Sequence, residues 1–163
     1  MTGRPLERRV KLTDRLAAKR PRKLLAIDGG GIRGVLSLMI LDKIEKLLIE
    51  ESKREDYRLA DYFDYVSGTS TGGIIAAGIA MGMSVTEILA FYVDNGAKMF
   101  DKASIIRRLQ YQYKSEPLAL QLQKVFGEET TLGAPELETL LLLVMRNDPT
   151  DERDVETERW WNH

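Results

Sequence analysis

The sequence predicts an α/β protein with its strands in a parallel sheet. Two stretches carry that prediction, each reading as strand, glycine-rich turn, then helix. In the first, Lys23-Leu24-Leu25-Ala26-Ile27 runs into Asp28-Gly29-Gly30-Gly31-Ile32-Arg33-Gly34. In the second, Tyr65-Val66 runs into Gly68-Thr69-Ser70-Thr71-Gly72. Short apolar runs without alternation suit strands buried on both faces, the habit of parallel sheets. Helices between such strands carry the chain back to start the next one.

Bulk properties narrow the class. The 163 residues make one domain the default and suffice for a real core. Hydrophobic content of 44% and charged content of 30% are those of an ordinary globular chain. A net charge of −1 gives no overall signature for nucleic acid. There is no cysteine, which excludes a disulfide framework and thiol chemistry and fits a reducing, cytoplasmic setting. No signal-peptide pattern opens the chain, and its longest apolar runs are too short to span a bilayer. The single histidine is His163, the last residue.

Residues 1–22 read as a basic, flexible arm. With Lys23 they hold nine basic residues against Glu7 and Asp14, a net of +7. Such a segment is solvated, or is drawn to an anionic membrane surface at about 1 kcal/mol per basic residue. After the first glycine turn, Val35 to Glu51 is an amphipathic helix. Leu36, Ile40, Leu41, Ile44, Leu47 and Leu48 are expected on its buried face. Ser52 to Arg58 is a charged connection, and Leu59 to Phe63 a short helical turn. Ile74 to Met81 is a buried helix that Gly82 ends. Ser84-Val85-Thr86-Glu87 is a capping box that opens a helix to about Gly96, with Met99-Phe100 packing after it.

Further on, Ser104 to Tyr113 reads as a partly exposed helix, and Pro117 starts another that Gly127 closes. Residues 130–135 read as loop or edge strand. Leu140 to Met145 is a strand or a buried helix, which periodicity cannot separate. Residues 148–163 form an acidic tail, with six acidic residues against two arginines and Trp160-Trp161 near its end. The tail reads as the start of an element cut short, after a core over residues 23–147.

Gly68-Thr69-Ser70-Thr71-Gly72 fits the nucleophile elbow, Gly-x-Ser-x-Gly between strand and helix. The spacing has a physical reason. The serine takes an unfavourable backbone conformation at a sharp turn, and Gly68 and Gly72 let strand and helix approach without a Cβ clash. The hydroxyl then sits at a helix N-terminus, where free N–H groups favour negative charge. The competing reading is a small-residue loop that merely caps a core helix. In the first turn, four glycines in six positions suit a backbone that presents N–H groups to an anion. The N–H groups of Gly30 and Gly31 are candidate oxyanion donors, with Thr71 N–H another. Gly29-x-Gly31-x-x-Gly34 also fits a dinucleotide fingerprint. Against that, Asp28 would repel a pyrophosphate, and Glu50 and Glu51 close a helix where an acidic residue should close a second strand. With His163 terminal, a Ser–His–Asp triad is not available.

The paired motifs, Asp28-Gly29-Gly30-Gly31-Ile32-Arg33-Gly34 and Gly68-Thr69-Ser70-Thr71-Gly72-Gly73, resemble those of the patatin-like phospholipases in order and spacing. The likeness runs from about Arg22 to Asn147. It implies a three-layer α/β/α fold with a mostly parallel central sheet, and hydrolysis of lipid acyl esters by a serine–aspartate dyad with no metal and no cofactor. On this match Ser70 is the nucleophile. Gly29, Gly30, Gly31 and Gly34 belong to the oxyanion loop with Arg33 alongside. The dyad aspartate of the family lies in a later Asp-Gly motif, and no Asp-Gly follows Ser70. Asp148, Asp151 and Asp154 lack that glycine, so no aspartate is assigned as base. The expectation is therefore a lipid acyl hydrolase whose base lies outside this sequence, or an inert lipid- or partner-binding remnant. An unfinished sheet edge would favour self-association.

Overall fold

The computed structural model describes residues 12–99, 123–127, 130–132 and 134–144. Helix α1 spans Leu12–Ala17 and strand β1 Leu24–Ile27. A 3₁₀ turn over Gly31–Arg33 leads into helix α2, Gly34–Ser52. Helix α3, Leu59–Tyr62, precedes strand β2, Tyr65–Thr69. Helices α4, Thr71–Ala80, and α5, Val85–Met99, follow, and strand β3 covers Leu140–Val144. The expected basic–aromatic helix and the acidic tail lie outside the described residues. Residues 123–126 are helical, and Gly127 closes them at φ +93°.

The strands form one parallel sheet in the order β1-β2-β3. Leu24 pairs with Tyr65 and Ile27 with Gly68 across the first ladder, and Tyr65 with Leu140 and Thr69 with Val144 across the second. Leu140–Val144 is thus a strand. The free side of β2 offers a ladder that satisfies the β3 backbone, a long-range fact invisible to local periodicity.

Helix α4 packs on all three strands, and α2 and α5 pack against α4. Ile27, Leu38, Val66, Ile75, Ile79, Ile88 and Tyr92 share one core. The opposite sheet face carries Leu24, Leu142 and Val144, all exposed among the described residues. So β1 is parallel as expected but buried on one face only. Leu12 of α1, Leu24, Tyr65 and Leu140 line a cleft of about 130 Å³ at one end of that open face.

Two expectations need correction. Of the face expected inward on α2, Leu41 is buried and Ile44 and Leu48 pack on the core, but Leu36, Ile40 and Leu47 are 63%, 57% and 50% exposed, and Gly34, Leu38 and Glu45 are buried instead. The helix is apolar over so much of its circumference that amphipathicity alone misplaces its face. The tertiary choice brings Glu45 inward. Its carboxylate accepts the N–H of Leu59 at 3.2 Å and of Val85 at 2.9 Å, capping the first residues of α3 and α5. Burial pushes the Glu45 carboxyl up, and those two backbone hydrogen bonds partly offset it. The second correction lengthens α5 by three residues beyond Gly96, to Met99. Its capping box forms as read: Ser84 N–H donates to Glu87 Oε2 at 2.9 Å, and Glu87 N–H to Ser84 Oγ at 3.2 Å.

Part of the basic arm is anchored. Arg15 is buried and donates to the carbonyls of Phe63 at 3.0 Å and Ala60 at 2.6 Å. It also pairs with Asp64 at 3.4 Å. Arg20 donates to both carboxylate oxygens of Asp64, and Lys23 N–H adds a third donor at 3.0 Å. Burial pushes the Asp64 carboxyl up, but the Arg20 hydrogen bond, the Lys23 N–H and the charges of Arg20 and Arg15 outweigh it and hold it at about 2. Arg15 is therefore spent on the core, while Arg20 pairs with Asp64 and keeps 41% of its side chain exposed. No described helix is long and apolar enough to cross a membrane.

Candidate active site

Both glycine turns lie at the C-terminal ends of adjacent strands, the usual place for a site in a parallel sheet. At the end of β2, the middle strand, the chain reverses into α4 at Ser70. Its backbone stands at φ 50°, ψ −123°, a conformation that costs a non-glycine residue roughly 1–3 kcal/mol. Ser70 is exposed and forms the N-cap of α4. Its carbonyl takes the N–H groups of Gly73 at 3.0 Å and Ile74 at 3.4 Å, so α4 begins at Thr71, three residues before the apolar run.

The glycine spacing is steric. A Cβ on Gly68 would lie 2.3 Å from the carbonyl carbon and oxygen of Gly72. One on Gly72 would lie 2.2 Å from the Ile27 carbonyl oxygen. Strand β2, helix α4 and strand β1 therefore meet at van der Waals limits. On the first turn, a Cβ on Gly29 would sit 2.9 Å from the Ser70 Cβ, so the loop passes directly against the serine. Gly31 opens the 3₁₀ turn at φ +60°. Arg33 is exposed, and its side chain lies over Gly30. Gly34, the first residue of α2, is packed by Tyr92 and Ile75.

Hydroxyls join the two turns. Gly29 N–H donates to Thr69 Oγ1 at 2.8 Å, and Gly30 N–H to Thr71 Oγ1 at 3.2 Å. The Gly30 amide, an expected oxyanion donor, is thus engaged by Thr71 in this structure. Tyr92, on α5, donates its hydroxyl to the Thr71 carbonyl at 2.5 Å. Burial pushes the Tyr92 phenol well up, so it stays a donor at any ordinary pH. From the sequence, Tyr92 is one position in the helix that the capping box opens, with no sign of this contact. A tyrosine at a core position was the signal available, since a buried phenol seeks a partner. Tyr92→Phe is expected to lose about 1–2 kcal/mol, because the buried Thr71 carbonyl loses a partner. Thermal unfolding of the variant checks it.

Among the described residues no carboxylate hydrogen-bonds the Ser70 hydroxyl. Asp28 is exposed beside the glycine loop.

This geometry, an exposed serine strained at a strand–helix turn with a glycine loop against it, can be set beside known proteins. A profile of the patatin-like phospholipases matches residues 25–159. The chain belongs to that family. It is 34% identical over 128 residues to a cGAMP-activated phospholipase of Escherichia coli, covering 75% of this chain and 36% of that protein. It is 39% identical over 112 residues to Patatin-17 of Solanum cardiophyllum, covering 64% and 28%. It is 37% identical over 112 residues to a probable inactive patatin of Solanum tuberosum, covering 64% and 30%. The chain thus spans about a third of the length of the curated relatives it matches. In this patatin-like chain both motifs fall inside the matched segment.

Proposed function

We propose that the chain carries the nucleophile and oxyanion loop of a serine lipid acyl hydrolase. The observation that carries this reading is Ser70 itself, exposed and strained at the head of α4 with Gly29 packed against it. Family membership supports lipid acyl ester hydrolysis as the reaction class. In the proposed sequence Ser70 Oγ attacks the ester carbonyl carbon and its proton passes to a base. The tetrahedral oxyanion is held by the Gly31 N–H of the glycine loop, by Thr71 N–H and by the positive end of α4, while the Gly29 and Gly30 amides hold the loop on Thr69 and Thr71. Collapse breaks the bond to the alcohol, which leaves with the proton. Water then cleaves the acyl-serine to release the fatty acid. The base, an aspartate on the family resemblance, is assigned to no residue of this chain. Arg33 pairs with an anionic group at the loop.

The dinucleotide alternative is weakened by the same geometry. Gly29 and Gly30 spend their amides on Thr69 and Thr71, where a pyrophosphate would need them. A second reading keeps its force: an inert, lipid-binding patatin relative. That no carboxylate among the described residues hydrogen-bonds the Ser70 hydroxyl, and the likeness to a protein described as a probable inactive patatin, favour it.

Hydrolysis of a nitrophenyl ester and of a phospholipid separates the two, measured beside Ser70→Ala and with fluorophosphonate labelling. The hydrolase reading expects labelling at Ser70, and ester turnover that falls at least about 10²-fold in the alanine variant. A folded chain that neither labels nor hydrolyses supports the inert reading. Adding cGAMP to the same assay tests whether the activation named for the Escherichia coli relative extends to this chain. We place the reaction in the cytoplasm at a membrane surface reached through the basic arm. Vesicles of anionic phospholipid test that contact, and light scattering tests self-association through an open edge of the sheet.

A further inference from the structure

We propose that Thr71, the residue after the elbow serine, is a positioning residue whose side-chain hydroxyl sets the glycine-rich loop against Ser70. The proposal rests on the reading of Ser70 as nucleophile and goes beyond it. The β1–β2 ladder ends at Ile27↔Gly68. Past that point the loop turns away from the strand direction, and the amides of Gly29 and Gly30 have left the strand pairing. The hydroxyls of Thr69 and Thr71 take them instead, at 2.8 and 3.2 Å. These two bonds bracket Ser70 in sequence and continue the contact of the two strands into the site.

The two threonines are not equivalent. The Thr69 bond is exposed, so water can replace the hydroxyl. Thr71 is buried, with 7% of its surface accessible, and its bond to the exposed Gly30 amide is part-buried, so water replaces a lost hydroxyl there less readily than at Thr69. Thr71 is also held from behind, its carbonyl taken by Tyr92. Gly34, where α2 begins, lies against both: a Cβ there would be 3.3 Å from the Tyr92 ring and 3.7 Å from Thr71 Oγ1. One small side chain therefore ties the elbow helix, the glycine loop and the start of α2 together. Displacement of the loop by a fraction of an ångström moves the Gly31 N–H off the oxyanion, where alignment governs its worth.

The test is the rate of fluorophosphonate labelling of Ser70 in the full chain and its variants. Amide exchange at Gly29 and Gly30 is followed by NMR. Thr71→Val is expected to label about tenfold more slowly, with faster exchange at Gly30. Thr71→Ser, which restores the hydroxyl, returns the rate to within about threefold of the parent, and Thr69→Val changes it by no more than about twofold. Should valine unfold the chain, Thr71→Cys carries the same expectation, since sulfur is a weak acceptor in similar space. Labelling of Thr71→Val at the parent rate overturns the proposal. So does Thr71→Ser labelling as slowly as Thr71→Val, which would assign the effect to methyl packing. If the parent chain itself fails to label, the nucleophile reading fails and takes this role with it, while the exchange data still report whether the hydroxyl bond exists.

Discussion

Gly72→Ala is expected to cost at least about 3 kcal/mol, enough to unfold much of a domain of ordinary stability. The added methyl would sit 2.2 Å from the Ile27 carbonyl oxygen and 2.8 Å from that of Asp28. Both are backbone atoms at the end of β1, so no rotamer change relieves the contact. Relief requires α4 to move off the sheet, and α4 is the helix that packs on all three strands. A urea titration followed by circular dichroism checks this, with Gly30→Ala as the comparison. The nearest neighbour at Gly30 is the Arg33 side chain at 3.4 Å, ordinary van der Waals contact, so that variant is expected to stay within about 1 kcal/mol of the parent. A Gly72→Ala chain as stable as the parent would mean that strand and helix do not meet as closely as described.

Asp64→Ala is expected to lose about 3–5 kcal/mol at neutral pH, because it strands a buried guanidinium. Arg15 has 3% side-chain exposure, and Asp64 is the carboxylate paired with it. Arg20 and the Lys23 N–H lose the same acceptor, so residues 12–22 are expected to come off the core. The pH dependence fixes the sign. The Asp64 carboxyl stands at about 2 in the fold against an ordinary 3.8. A lowered value stabilises the fold above the ordinary value, and that contribution is lost as pH falls from about 4 towards 2. Its size is about 2 kcal/mol. The stability gap between parent and Asp64→Ala should therefore be full at pH 7 and shrink across that acid window. A gap that is flat with pH would exclude the ion pair as its source.

Much of this was legible beforehand, for reasons particular residues make plain. Both strand–turn–helix units announced themselves because glycine is the only residue that tolerates backbone contacts such as those at Gly68 and Gly72. The capping box Ser84–Glu87 formed as read, because its bonds are local and owe nothing to the rest of the fold. The inward face of α2 was misread in part, because Leu36, Ile40 and Leu47 satisfy the helical period as well as Leu38 does. The choice between them belongs to α4 and α5, not to α2. Glu45 went unnoticed for the same reason, since a glutamate on a helix is ordinarily solvated and only the arrival of two helix N-termini makes its burial tolerable.

Sequence by itself determined the α/β class, the two strand–turn–helix units, their order, and the family they belong to. Each depends on residue identity over a few neighbouring positions. Tertiary structure alone decided that β3 is a strand and that Asp64 anchors residues far behind it in the chain. It also decided that the Thr71 hydroxyl takes the Gly30 amide. These are pairings between groups 41 to 75 residues apart, set by which surfaces meet when α4 closes on the sheet. No local period or propensity carries that information, because the partner's position is a property of the packed molecule.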